Sequence, residues 1–183
     1  MLPIGPLMIE HRLIERVIRV MAARVEIMET AKSATPLEVE KIVHFIQTFA
    51  DRCHHGKEED ILFRELARKE IWPVHRRIMD ELIRDHQLGR QLTLAISRAN
   101  ARYQQGEAGA LAEIVDGFRR LVAFYPEHIR KEEKGFFIPI MDYFSREEKD
   151  AMLQEGYEAD SRLLHREHEA LVAALEAGAS ARR

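Results

Sequence analysis

Cysteine is nearly absent from this chain: Cys53 is the single example in 183 residues. One thiol cannot make an internal disulfide, so a disulfide-stitched secreted scaffold is excluded and a reducing, cytoplasmic setting is expected. Cys53 itself is expected to be a small buried hydrophobe, with a redox role beside His54 as the lesser alternative. Proline and glycine are scarce, six and nine residues, and strand-like alternation of apolar and polar residues is hard to find. No apolar run approaches the ~18 residues that a membrane span needs. The N-terminal MLPIGPLM lacks a basic flank and a convincing cleavage site, so no signal peptide is expected. A dominant charge is missing as well. A formal net charge of −3 gives no general reason to expect nucleic acid or an anionic membrane as partner.

What is present is 46% hydrophobic and 32% charged residues, a globular balance that leans all-α and is sized for one domain covering residues 1–183. Helical spacing of apolar residues predicts five helices. The first runs from about Pro6 to Thr30. The second starts at Pro36 behind a candidate N-cap, Thr35, and runs to about Arg68. The third spans about Pro73 to Gln105 and stops at Gly106. The fourth runs from about Ala108 to Glu133, with Pro126 expected to kink it. The fifth opens on a Ser145–Glu148 capping box and continues to about Glu176. Long helices with short connections predict an up-down antiparallel four-helix bundle, core about 7–137, with an additional C-terminal helix at about 145–177.

Two decamers recur. HHGKEEDILF at 54–63 and HIRKEEKGFF at 128–137 share His at the first position, Lys-Glu-Glu at the fourth to sixth and Phe at the tenth. Upstream of each lies an acidic residue followed by a lone histidine, Glu10-His11 and Asp85-His86. His11 to His54 is 43 positions and His86 to His128 is 42. The chain therefore reads as two repeated helical hairpins.

On a helix, residues i and i+4 sit ~40° apart and ~6 Å along the axis, and so share a face. His54 and Glu58 continue the stripe Ile42, Ile46, Ala50. His128 and Glu132 continue Leu121 and Phe124. His11 sits among Leu7, Ile14 and Ile18, and His86 among Met79, Leu82 and Ile83. All six are expected to face the interior. His55, flanked by Thr48, Asp51, Arg52 and Glu59, is expected on the outside or on a helix flank. Glu59 and Glu133 are expected at an outer edge, paired with lysines or arginines. Glu15, His44 and His75 are expected at the surface.

Carboxylates and imidazoles in an apolar core are costly unless compensated. These six carry too little positive charge of their own. Bound cations would supply it, and imidazole with carboxylate but no thiolate suits iron, manganese or zinc. A single HxxxE pair is weak evidence, since most are surface pairs. Two inward pairs, two inward lone histidines and matched spacing make a much stronger signal. In LLHREHEALV, His168 fits the stripe of Leu171 and Leu175 slightly better than His165.

A histidine on one helix, HxxxE on the next, and the same again resembles the hemerythrin-like, HHE cation-binding family over residues 7 to about 137. That resemblance implies a non-haem centre of two iron ions in a four-helix bundle. His11, His54, His86 and His128 would be imidazole ligands, and Glu58 and Glu132 bridging carboxylates. The chain departs from the oxygen carriers of the family: Arg90 stands where they have a fifth histidine. By resemblance to related bacterial chains, His165 is the candidate for that ligand, with His168 or no fifth histidine as alternatives. The implied activity is binding or sensing of O2 or a related small molecule. The alternatives are an enzyme removing peroxide or nitric oxide, and an iron or redox sensor acting through a separate partner protein. A haem bundle is weaker, because it leaves both glutamates unexplained.

Overall fold

The computed structural model describes residues 1–160 and 162–180, and every regular element among them is helical. Helix α1 spans Ile4–Ala31. It ends on Lys32, whose φ of 53° is left-handed. Helix α2 is Pro36–Phe45, with Pro36 pre-set for the first helical position. Thr35 stands at its N-cap, but its side chain makes no capping hydrogen bond. From there the run changes character. Ile46–His55 and Glu58–Phe63 are π-helical, and the short α3, Arg64–Leu66, closes the run. Helix α4 is Pro73–Gln104, followed by Gly106 at φ 93°. Helix α5, Ala110–Gly135, continues through Pro126. A short α6, Phe137–Ile140, leads to α7, Arg146–Ala159. The expected Ser145–Glu148 capping box is present at the start of α7. The expected fifth helix is two: the chain breaks at Asp160, with ψ 113°, before α8, Arg162–Ser180.

The apolar interior is divided. One cluster holds Ile14, Val17 and Met21 of α1, Phe45, Ile46 and Phe49, Leu92 and Ile96 of α4, and Ile114, Phe118 and Tyr125 of α5, with Val172 and Leu175 of α8 over it. The other holds Ile4 and Leu7, Ile61 to Phe63, Met79 and Leu82, and Phe136, Phe137, Ile140, Met141, Phe144 and Met152. On each of the four long runs the stretch between the two clusters is the stretch that carries histidine with an acidic residue. The order in which the runs meet the two clusters alternates. No helix among the described residues is long and apolar enough to cross a membrane.

Candidate metal centre

The polar layer is built from single residues on long, anchored helices. His11 on α1 and His86 on α4 are fully buried, as are Glu58 and Glu132; His54 and His128 are almost so. These are the six residues whose stripes pointed inward. Glu132 Oε2 lies 3.1 Å from His11 Nε2 and its Oε1 3.1 Å from His128 Nε2. Glu58 Oε1 lies 3.4 Å from His54 Nε2, and its Oε2 3.3 Å from His86 Nε2. Glu58 thus turns one oxygen to His54 and one to His86, and Glu132 one to His11 and one to His128.

These contacts are close, but they are not hydrogen bonds. His11, His86 and His128 Nε2 and all four oxygens of Glu58 and Glu132 are buried without a hydrogen-bond partner. Buried polar atoms are nearly always paired, so seven orphans facing one spot mark a place for something else. Their residues, with His54 and with His55, whose two ring nitrogens are orphaned as well, collect into two overlapping sets, His11–His54–Glu58–Glu132 and His55–Glu58–His86–His128. In each set, one ligand atom per residue lies within 4.8 Å of all the others. Nitrogen and oxygen donors of this kind fit first-row divalent cations.

Without a cation, opposite charges must balance each other. Burial opposes a charged Glu132, but the imidazoles around it, His128 foremost, hold its carboxyl well below the usual range. Burial likewise opposes an imidazolium at His86 and at His128. The facing glutamates outweigh it and raise them to about 11 and about 9. A bound cation would take over the role of those protons.

The outer side of each imidazole is held by a second carboxylate. His54 Nδ1 donates to Glu10 Oε2 at 2.8 Å, His11 Nδ1 to Glu133 Oε1 at 2.9 Å, and His86 Nδ1 to Glu59 Oε1 at 2.6 Å. His128 Nδ1 approaches Asp85 Oδ2 at 3.5 Å. Each carboxylate is in turn gripped by a cation: Glu10 by Lys57, Asp85 by Lys131, Glu59 by Arg90 and Glu133 by Arg12. This explains the repeated Lys-Glu-Glu. The lysine clamps the acid that orients the histidine three residues back, the first glutamate enters the centre, and the second orients the lone histidine of a neighbouring helix. Glu59 and Glu133 pair with arginines at the rim as expected; their hold on imidazoles was missed. The signal was available in the acidic residue before each lone histidine and in the doubled glutamate.

Two expectations need correction. His55 is not outside but 2% exposed, because the π-helical stretch turns Cys53, His54 and His55 all inward. His165 is not brought to the centre. Its Nε2 donates to Glu10 Oε1 at 3.2 Å, one carboxylate away from His54. With Glu10, Cys53 and Asp160 it forms a third potential ligand group, but the Lys57 ammonium already sits on Glu10 and Asp160. His168 lies elsewhere, buried against Thr48, Phe45 and Phe49. Burial pushes the Cys53 thiol far up, which keeps it protonated and unreactive. His44 is exposed, whereas His75 is half-buried, its Nδ1 2.7 Å from the Tyr143 hydroxyl.

A family model described as the hemerythrin HHE cation binding domain matches residues 2–138. The chain belongs to that family. The matched region contains the whole polar layer and both Lys-Glu-Glu segments, and it ends before α7 and α8 of this HHE protein. Comparison with curated proteins and with solved structures gives no match.

Proposed function

We propose that this chain holds two non-haem iron ions and uses them to bind or sense O2 or a related small molecule. The supporting observation is the convergence of nine orphaned buried nitrogen and oxygen atoms from four helical runs on one layer, in two sets that share Glu58. His11 and His54 would hold one ion and His86 and His128 the other, with Glu58 and Glu132 supplying carboxylate ligands between them. The four runs form an up-down antiparallel four-helix bundle of two repeated hairpins; the alternating order in which they meet the two apolar clusters supports it. Residues 1–183 form one domain with α7 and α8 as its addition, though 161 and 181–183 lie outside the described residues.

Iron supplies a cation that, when ferrous, can bind a small diatomic molecule. The chain supplies orientation and dryness. Four outer carboxylates fix which nitrogen of each imidazole carries the proton, leaving Nε2 free to ligate. Phe137 stacks on His11 at 5.8 Å, Phe63 on His86 at 6.0 Å and Phe124 on His128 at 5.3 Å. These rings exclude water and hinder proton delivery, which favours holding a ligand over consuming it.

The test is anaerobic loading with ferrous iron, followed by oxygen exposure and return to anaerobic buffer. About two ions per chain are expected, as in other bundle sites of two ions. A charge-transfer absorption should appear with oxygen and reverse on its removal, and Glu58→Ala should abolish both. Retention of no iron by folded wild-type protein would overturn the reading. One observation favours the enzymatic alternative: half-buried His165 reaches Glu10, which holds His54, so a hydrogen-bonded path runs from the surface groove to the layer. Steady turnover of peroxide or nitric oxide that is lost in His165→Ala would select it.

A further inference from the structure

His55 is the one imidazole of the layer with no holder. Both of its ring nitrogens are buried without a hydrogen-bond partner. The nearest carboxylate, Asp51, stands 3.5 Å from Nδ1 and makes no hydrogen bond to it. A neutral imidazole carries one donor and one acceptor, and leaving both unmet in the interior is costly. Three imidazoles lie against it: its ring is parallel to His86 at 3.9 Å, edge-on to His128 at 5.6 Å, and 5.7 Å from His54.

The backbone has been altered to bring it there. Ile46–His55 is π-helical, and Cys53, His54 and His55 are all buried at its end. The π-helical register closes wider turns, and such turns concentrate at functional sites. Four residues after His86 on α4, Arg90 is occupied with Asp51 and Glu59 at the rim. One ligand atom of His55 lies within 4.8 Å of those of Glu58, His86 and His128.

We propose that His55 is a fifth imidazole ligand, delivered by the π-helical segment to the ion held by His86, His128 and Glu58. The two ions are then held unequally, three imidazoles on one and two on the other. This rests on the two-ion reading above.

The experiment loads wild type, His55→Ala, His55→Gln and Glu58→Ala anaerobically with ferrous iron and, separately, with cobalt(II). Ions retained per chain, affinity by chelator competition, the cobalt d–d spectrum and far-UV circular dichroism are recorded. His55→Ala is expected to keep its helicity and lose one ion of the pair. Affinity for that ion should fall by more than the roughly 10–100-fold typical of losing an outer partner, and added imidazole should restore both the ion and the wild-type cobalt spectrum. His55→Gln, which fills the space, should fold and show the same loss. Two retained ions with unchanged affinity and spectrum in both variants would overturn the proposal. So would a loss that tracks helicity and is not rescued by imidazole. Wild type that holds no ion would instead sink the two-ion reading itself.

Discussion

An imidazole has two nitrogens, and a carboxylate on one decides what the other can do. In this protein Glu10, Glu59, Glu133 and Asp85 each make that decision for a histidine of the polar layer. Glu59→Gln keeps the size of the side chain but removes the charge that draws on His86 Nδ1. Affinity for the ions is expected to fall about 10–100-fold with little change in helicity, which competition against a chromogenic chelator will measure. The same residues set a pH dependence. In the ion-free protein His86 and His128 are raised to about 11 and about 9, burial opposing and the glutamates prevailing. The unfolded chain would hold those protons only below about pH 6.5. The folded state therefore binds more protons, and the stability they give is complete below that value and lost as pH rises through 9 and then 11. Calorimetry of the ion-free protein should show Tm falling from pH 7 to pH 10. The iron-loaded protein should show a shallower fall, since cations replace the protons.

At the scale of helices, α4 and α5 approach closely at Gly117, where an added Cβ would collide with Ile96 Cγ1 and meet its Cδ1 at 3.0 Å. Ile96 is branched at Cβ and stiff, so it cannot swing clear. Gly117→Val should destabilise the protein by about 1–3 kcal/mol in urea unfolding. Much of this level was legible in the sequence. The inward facing of His11, His86, His128 and Glu132 follows from helical spacing along regular apolar stripes; His54 and Glu58 face inward too, but on π-helical turns that the spacing did not foresee. His55 was illegible because that reasoning assumes 3.6 residues per turn, and Ile46–His55 does not obey it. The outer carboxylates were half legible. Asp85 and Glu10 stand out as acids beside histidines, but each orients the histidine of a different helix, a contact that only tertiary packing creates. The break at Asp160 escaped because Ser145 to Glu176 carries no proline and its periodicity runs on. His165 was placed by resemblance, and the break carries it to Glu10 instead.

For the molecule as a whole, the interior is two apolar clusters with a charged storey between them. Ions bound only by the folded state stabilise it by mass action, roughly 4 kcal/mol at a thousandfold excess over Kd. Iron loading should therefore raise Tm by several degrees, and a chelator should return it to the ion-free value; a Tm indifferent to both would contradict a resident metal. Glu132 stands with His11 at one side and His128 at the other, so ions lodged there would tether residues from near the two ends of the matched region. A protein with one thiol has no covalent stitch to do this. Its tethers would be undone by chelators and left intact by reductants, the reverse of a chain sewn together through sulfur.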